Sequence, residues 1–466
     1  MKSLKWRINY TIAVIIILAA FEHIVIGLFP PLIQYIAKDL NIKIASLGFV
    51  SAANILVTSI SSIYWGYLSG KYPQKKMLII ATIIWSLSIF LTSFSNSYFQ
   101  ILFFQMVTGF GLGCIASIGC SVLTEYIPYQ KRGLILSFWG MAQGLGGITG
   151  SILASLTTAN NSWRWPFEIL GFIGLFVIFS FLFIQEPIRG GLQSKPKELL
   201  KNTPPYNYNL EDKHVKFLIL KGSNVFLFLQ TFLMNIATGS LIWIPTLYIF
   251  KIMQQGYSMG TAVIVSGYLY AIFQLGGIAS FYFGHLGDKI QRKTYKGRAY
   301  FTAFFVLITI PLYILLFFVP MTNLSLPNGD KNEFIILMSI LKQIFINPWI
   351  TLMFVLSLFA SAAQSANTPN WMALLTDVNL PEHRGIAFSI ANFCNSLGRT
   401  VGNAGVGILL GILSTRFNAP YSYIYTLSIL QIFLIPSAFC YLKMSKNNVI
   451  DIKYVIKKLK ERAGKV

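Results

Sequence analysis

Three ionisable side chains, Glu22, His23 and Arg399, lie deep inside apolar runs that are long enough to cross a bilayer. At 1.5 Å per helical residue, about 13 residues separate Glu22 from the end of its run and about 15 separate Arg399, so both lie near mid-bilayer. A charge at that depth costs a few kcal/mol and is normally paired or lines a water-filled cavity. A guanidinium binds carboxylates and phosphates, and a carboxyl or imidazole exchanges protons. We therefore predict a substrate and proton site in which Glu22 and Arg399 either pair directly or share one cavity.

Amide and indole side chains accompany these three residues. Asn392 and Asn395 precede Arg399 at helical spacing, which places all three on one face of a helix. The other candidates for the same site are Gln105, Asn235, Asn367, Asn370 and Trp371. A buried amide commonly does no more than hydrogen-bond a neighbouring helix, so each of these amides also has a purely structural interpretation.

The composition explains which elements must position these residues. Of the 466 residues, 55% are hydrophobic and only 11% are charged, whereas soluble proteins have roughly 25% charged residues. Runs of roughly 20 or more mostly apolar residues predict membrane helices. Twelve such runs occur near 10–30, 45–68, 77–95, 98–124, 133–157, 166–185, 220–250, 258–286, 299–320, 345–376, 385–413 and 420–442. The sequence therefore predicts an all-α membrane protein with twelve transmembrane helices.

A polar stretch divides these runs into two sets of six. We predict an N-terminal six-helix bundle at 1–185, a cytoplasmic central loop at 186–216, a C-terminal six-helix bundle at 217–443 and a basic cytoplasmic tail at 444–466. The tail is interpreted as a solubilising segment, with a position near the anionic inner leaflet as the alternative.

The basic residues predict the orientation of the chain. If the N-terminus is inside, Lys and Arg are about four times as frequent in the inner segments as in the outer loops, as expected for cytoplasmic segments. Both termini are then cytoplasmic, and we expect a multi-pass protein of the plasma membrane. The net charge of +22 does not indicate nucleic-acid binding, because the cations occupy short gaps between apolar runs.

The two halves repeat each other at the predicted inner loops. The segment 66–71 recurs as 284–289, with Gly, Leu and Lys at matching positions. Glu125 stands seven residues before Arg132, and Asp377 stands seven residues before Arg384. Two repeated sequence patterns in the same order indicate pseudo-symmetric halves. A transporter that works by rocking requires such halves, because one bundle moves against the other.

The loop at 284–293, with its Gly-x-Leu-x-Asp-Lys pattern, resembles the signature of the major facilitator superfamily. The resemblance to this superfamily spans the whole chain and includes Trp163–Pro166. The segment Glu186–Gly190 is similar to Spinster-like members, and so is the Glu22-His23 pair followed by Pro30, where that group usually has Asp-Arg. This resemblance implies the major facilitator fold and secondary active transport by alternating access, with lysolipids or other amphiphiles as substrates. Gln105 and Leu112 stand where Spinster-like proteins generally carry Arg and Glu, so the coupling carboxylate of that helix is missing. Glu22 is then the best protonation site and His23 the second, although uniport is also compatible with the sequence.

The same loops predict a conformational latch. We expect Asp288 to accept hydrogen bonds from the N-terminal amides of a following helix and from Arg384 or Lys289, which would hold the inner side closed. The predicted gating residues are Glu125, Arg132, Asp288, Lys289, Arg292, Asp377 and Arg384. Gly70 replaces the matching acid in the first half, so we expect a weaker latch there. The alternative is that these charges are ordinary anchors at the membrane edge.

Other functions are compatible with part of this pattern. A small anionic or amphipathic organic solute is favoured as the substrate, and a broad-specificity efflux pump for drugs or cations is the alternative. A non-transporting receptor or scaffold would not need the repeated loops. An embedded enzyme would need a convergent catalytic cluster, and the sequence has neither such a cluster nor a phosphate-binding Gly-rich loop. We expect no enzymatic activity, cofactor or metal ion, and a monomer whose partners are a small-molecule substrate, protons and the lipid bilayer, with no nucleic acid.

Overall fold

The computed structural model describes residues 2–42, 44–69, 71–127, 132–160, 162–184, 212–327 and 333–462, and every element in these ranges is helical. The first half contains seven helices, which form six rods. They are α1 (Lys2–Asp39), α2 (Ile44–Ser69), α3 (Gln74–Thr92), α4 (Tyr98–Cys114), α5 (Cys120–Tyr126), α6 (Arg132–Asn160) and α7 (Trp165–Ser180). A π turn at Ile115–Gly119 joins α4 and α5 into one rod, and a 3₁₀ turn at Phe181–Phe183 ends α7.

The second half also forms six rods, several of them interrupted. Its helices are α8 (Asp212–Leu220), α9 (Gly222–Gly239), α10 (Ile244–Met253), α11 (Met259–Phe273), α12 (Ser280–Lys293), α13 (Gly297–Phe318), α14 (Glu333–Ile346), α15 (Pro348–Ser365), α16 (Asn367–Asp377), α17 (Pro381–Leu413), α18 (Tyr421–Leu430) and α19 (Leu434–Arg462). Short 3₁₀ turns at Ser240–Trp243, Gln274–Ala279 and Gln431–Phe433 join α9 to α10, α11 to α12 and α18 to α19.

These rods correspond to the predicted spans in order. We number them spans 1 to 12: α1, α2, α3, α4–α5, α6, α7, α9–α10, α11–α12, α13, α15–α16, α17 and α18–α19. Eleven of them are long and apolar enough to cross a membrane, and span 5 is the twelfth long rod, with 29 residues. The all-helical membrane fold is therefore confirmed. The end of the bundle at which α1 begins is called the inner end below.

Between spans 9 and 10 lies a helix that the periodicity did not predict. The predicted spans end near residue 320 and resume near 345, whereas α14 is a helix of 14 residues between them, too short to span a bilayer. Asn347 separates it from span 10, because its side chain accepts a hydrogen bond from the amide of Trp349 and Pro348 begins the next helix.

Close backbone packing holds span 1 against span 5 and span 7 against span 11. A Cβ at Gly150 would lie 2.2 Å from the carbonyl oxygen of Ile24, and a Cβ at Gly402 would lie 2.3 Å from that of Ile236. Only glycine permits such an approach, as is common between membrane helices. These contacts fix the parts of spans 1 and 11 that carry Glu22 and Arg399.

The predicted central loop lies mostly outside the described residues, and its last residues begin α8. The predicted tail continues span 12 as a helix to Arg462. It is more than the solubilising segment predicted above, because Val455 and Leu459 are buried against Leu380, and Arg462 forms an ion pair with Glu382 at 2.8 Å.

Candidate functional site

A central cavity of about 210 Å³ lies between the two halves. Residues of spans 1, 2, 4, 5, 7, 10 and 11 line it, so both halves contribute. Eight of the ten residues predicted for the substrate and proton site are in its wall, namely Glu22, His23, Asn235, Asn367, Trp371, Asn392, Asn395 and Arg399. The helical spacing of the ionisable and amide residues therefore identified one continuous surface.

Glu22 and His23 form the charged part of the first-half wall. Glu22 is 7% exposed, and its Oε2 atom has no hydrogen-bond partner among the described residues. The Nδ1 atom of His23 is likewise buried without a partner in that part of the chain. Both residues therefore have hydrogen-bonding capacity that the described protein does not use.

Arg399 occupies the second-half wall. Its side chain is exposed although it lies in the middle of span 11, because it faces the cavity. Its Nε donates to Oδ1 of Asn235 at 3.4 Å, a long hydrogen bond, and the described residues provide no carboxylate within ion-pair distance. Of the two predicted arrangements, Glu22 and Arg399 therefore share the cavity without pairing directly.

Two predicted site residues have structural positions instead. Gln105 is buried between spans 2, 3 and 4, where it accepts from Asn54 at 3.3 Å and donates to Thr92 at 3.3 Å. Asn370 donates to the carbonyls of Ala366 at 2.8 Å and Phe283 at 3.4 Å, which ties span 10 to span 8. For these two amides the structural interpretation holds, because each meets a neighbouring helix rather than the cavity.

Several cavity residues were not predicted. Thr58 and Ser62 line the cavity from span 2, and Trp139 lines it from span 5. Thr58 and Ser62 are four residues apart and lie on one helical face, so a search for hydroxyl side chains at helical spacing would have found them. Trp139 carries no sequence signal that separates it from an ordinary core tryptophan.

The inner end of the cavity is closed by contacts between the halves. Span 2 packs against span 11, and span 5 packs against spans 8 and 10. A Cβ at Gly66 would lie 2.8 Å from the carbonyl oxygen of Gly385, so these backbones nearly touch. Above this contact, Asn392 donates to the carbonyl of Ala116 in the π turn at 2.8 Å. The π turn exposes backbone acceptors, and here a residue of the other half uses one of them.

Buried charges join the halves at the same end. Nη1 of Arg384 contacts Oε1 of Glu125 at 2.9 Å, and both side chains are almost fully buried. Oδ2 of Asp288 accepts from the amide of Leu134, near the start of span 5, at 3.0 Å. Such charge-assisted contacts are stronger than neutral ones. Three of the predicted gating residues, Glu125, Asp288 and Arg384, thus contact the opposite half.

The pairing differs from the prediction for Asp288. Its cationic partner in the structure is Arg298, at the start of span 9, and not Arg384 or Lys289. Arg298 also contacts Asp377 at 2.8 Å, so it joins two carboxylates. Arg298 was not among the predicted gating residues, because it was counted only as one of the basic residues of the loop between spans 8 and 9. The predicted hydrogen bonds from the amides of the next helix along the chain are also not what the structure has, because Asp288 accepts from Leu134, near the start of a first-half helix.

Three predicted gating residues remain, namely Arg132, Lys289 and Arg292. Lys289 and Arg292 are exposed. The side chain of Arg132 lies outside the described residues. The weaker latch that was predicted from Gly70 and the side chain of Arg132 lies outside the described residues, whereas Glu125 is paired with Arg384 of the second half.

Comparisons with known proteins agree with this architecture. The family model described as Major Facilitator Superfamily matches residues 15–329. Protein spinster homolog 1 of Xenopus laevis is 29% identical over 209 residues, which cover 42% of this chain and 39% of that protein. The benzoate transport protein of Acinetobacter baylyi is 23% identical over 321 residues, covering 62% of this chain and 66% of that protein. The matched regions thus span less than two thirds of either relative.

A solved structure extends the likeness to the whole chain. The crystal structure of a bacterial homologue of the human lysosomal transporter Spinster, in an inward-facing conformation, matches with a TM-score of 0.59 and 16% identity. The match covers 96% of this chain and 98% of that one. At this identity the likeness concerns the fold, which is the twelve-rod, two-half architecture described above.

Proposed function

The chain belongs to the Major Facilitator Superfamily, and we propose that it is a secondary transporter that moves a small anionic or amphipathic organic solute by alternating access. The observation that carries the proposal is the convergence of Glu22, His23 and Arg399, from opposite halves, on one central cavity. Transporters of this architecture bind their solute at the interface between halves and rock around it. An integral multi-pass protein with ionisable side chains from both halves in such a cavity fits that mechanism.

Arg399 is the proposed anchor for the anionic group. A guanidinium recognises carboxylates and phosphates through parallel hydrogen bonds, and this one is accessible from the cavity. The benzoate transport protein is named for a carboxylate solute, which supports the assignment. Apolar cavity residues such as Trp139, Trp371 and Phe388 would accommodate the apolar part of an amphipathic solute. The amides Asn235, Asn367, Asn392 and Asn395 would orient its polar groups.

Proton coupling is proposed at Glu22, with His23 as the second site. Glu22 is buried in the cavity wall and faces Arg399 of span 11 across the same space. A carboxyl in this position changes the charge of the cavity when it gains or loses a proton. Movement of the solute would then depend on the proton gradient.

The buried charges of the inner end form the proposed latch. Glu125 with Arg384, and Asp288 with the amide of Leu134, would hold the halves together there and separate when that end opens. Arg298 and Asp377 would keep Asp288 in position, and Arg132, Lys289 and Arg292 complete the predicted gating set. Both termini are placed in the cytoplasm, because the basic residues concentrate at the inner end. The protein is further proposed to be a monomer of the plasma membrane without enzymatic activity.

Flux in proteoliposomes tests this function directly. Benzoate, a sugar phosphate, a lysolipid and a cationic dye are offered with and without an imposed pH gradient. We expect gradient-dependent movement of an anionic or amphipathic compound. We expect its loss in Glu22→Gln and Arg399→Gln, and wild-type flux in the matched controls Glu168→Gln and Arg416→Gln, which lie outside the cavity wall.

The other outcomes discriminate between the alternatives. Dye movement that survives Arg399→Gln would identify a broad-specificity efflux pump. Binding without any flux would identify a receptor or scaffold and overturn the transport proposal.

A further inference from the structure

The charged groups of the cavity are arranged as a dipole between the halves. Among the residues that line it, Glu22 is the carboxylate and Arg399 is the guanidinium, and they belong to spans 1 and 11. They do not form an ion pair, although both open to the same small space. The two walls therefore present opposite charges to a solute that lies between them.

Neither charged group has its hydrogen-bonding capacity filled. Oε2 of Glu22 has no partner among the described residues. Arg399 carries five N–H donors, of which the described contacts use Nε alone, in a long bond to Asn235. Nearby, Oδ1 of Asn395 and Nε1 of Trp371 are also buried without a partner in the described part of the chain. The cavity thus offers unused acceptors and unused donors together.

A solute with a single charge matches only half of this arrangement. An anion at Arg399 would repel the Glu22 carboxylate, and a cation at Glu22 would repel the guanidinium. A solute with one charge forms a charge-assisted contact with one wall only, whereas a solute with both charges forms such a contact with each wall. A solute with an anionic and a cationic group satisfies both walls and adds no net charge to the membrane interior.

The size and polarity of the cavity limit this solute. The volume of about 210 Å³ suits a compact molecule rather than a long acyl chain. Besides the two charged groups, the wall contains seven carboxamides, namely those of Asn54, Gln143, Asn235, Gln364, Asn367, Asn392 and Asn395. These carboxamides can hydrogen-bond the polar groups of a solute, and the apolar side chains of the same wall can contact its methylene groups.

We propose that the cavity binds a small zwitterion of the amino acid class, with its carboxylate on Arg399 and its ammonium group on Glu22. The proposal rests on the proposed transport function, and it keeps the anionic group at Arg399 while adding a cationic group at Glu22. It also connects binding with movement. Each half holds one end of the solute, so both contacts are complete only when the halves close around it, and the binding free energy then favours that closure.

Three probes of equal chain length test the charge requirement in the wild-type protein. They are 5-aminopentanoate, pentanoate and pentylammonium, whose binding to purified protein is measured by calorimetry. We expect 5-aminopentanoate to bind at least about tenfold tighter than either singly charged probe, since each charged contact adds its own free energy. A series from glycine to 8-aminooctanoate then locates the preferred distance between the charges.

Variants assign the two ends of the solute. In Glu22→Gln, 5-aminopentanoate should bind no tighter than pentanoate, and in Arg399→Gln no tighter than pentylammonium. The controls Glu168→Gln and Arg416→Gln should keep the wild-type preference. Thermal unfolding of each variant checks that it is folded, and the wild-type comparison needs no variant.

The outcome separates this inference from the transport function. If pentanoate binds and is transported as well as 5-aminopentanoate, the zwitterion proposal is overturned and transport of an anion stands. If 5-aminopentanoate binds with the expected preference but is not moved in proteoliposomes, the substrate class stands and transport fails. Absence of binding by all amino acids in the series overturns the proposal.

Discussion

Arg298 is buried between two carboxylates, and this single side chain organises the inner end of the second half. It contacts Asp288 and Asp377, and all three side chains are nearly inaccessible. Removal of one member of a buried ion cluster leaves uncompensated charge and costs about 3–5 kcal/mol. We therefore expect Arg298→Gln to lower the melting temperature in detergent strongly, whereas Arg416→Gln at an exposed position should not. A melting temperature equal to that of the control would show that the cluster adds no net stability.

Asp39 links the outer loops of the first half. Its Oδ2 accepts from Nε1 of Trp163 at 2.9 Å and from Nη1 of Arg164 at 2.7 Å, and Arg164 reaches the carbonyl of Ser95 at 3.1 Å. The hydrogen bond from Trp163, followed by that from Arg164, lowers the pKa of Asp39 below its ordinary value. Residues from three outer loops are thereby held together.

The lowered pKa of Asp39 predicts the sign of a pH effect. A depressed pKa in the folded state contributes stability above the unfolded pKa of about 3.9, and this stability is lost as the pH falls through the folded value. Asp39→Asn should therefore melt below the wild type at neutral pH, and the difference should disappear in acid. The effect is expected to be small because Asp39 is partly exposed. A difference that persists unchanged in acid would assign it to packing instead of charge.

Single residues also show what the sequence could predict. Glu22, His23 and Arg399 were identified because a charge in an apolar run has few acceptable environments. Gln105 and Asn370 are not in the cavity wall, and the sequence could not show this, because an amide can hydrogen-bond either in a cavity or to a neighbouring helix and the sequence does not say which helices are adjacent. Arg298 was missed because its burial depends on carboxylates brought to it by spans 8 and 10.

At the scale of elements, the inner extension of span 12 supports the loop that carries the latch. Leu380 of that loop is buried with Val455 and Leu459, and Glu382 is paired with Arg462. The same loop leads directly into Arg384, the partner of Glu125. The periodicity predicted the span but not this contact, because the last turns meet a distant loop.

Truncation after Lys453 should release this loop. We expect faster amide hydrogen exchange in residues 378–384, since the apolar cluster and the ion pair are both lost. Exchange in the outer halves of spans 7 and 11 should stay unchanged. As a matched control, Lys457→Gln and Lys460→Gln alter only exposed side chains and should leave exchange of residues 378–384 as in the wild type. Unchanged exchange after truncation would mean that the loop is held by its other contacts.

Across the whole molecule, the inner end is closed by packing of spans 2 and 11 and of spans 5 and 8, with the cavity above it. The solved relative with the same fold has an inward-facing conformation. An interface of packed helices has two discrete states, because its contacts are either kept together or lost together. In the proposed alternating access, the contact between Glu125 and Arg384 would contribute to the free-energy difference between the closed and the open inner end.

Glu125→Gln should shift that equilibrium toward an open inner end. The substitution keeps the side-chain shape and removes the charge that Arg384 pairs with, so the closed state loses a charge-assisted contact of about 1.5–3 kcal/mol. Spin labels at Tyr72 and Lys289, both exposed at the inner end, measure the opening, and labels at the outer positions Phe94 and Arg416 measure the opposite end. Alternating access requires that the inner distance increases while the outer distance decreases. An increase in the inner distance alone would mean that the ion pair of Glu125 and Arg384 only anchors two helices. The control Glu168→Gln, far from this ion pair, should change neither distance.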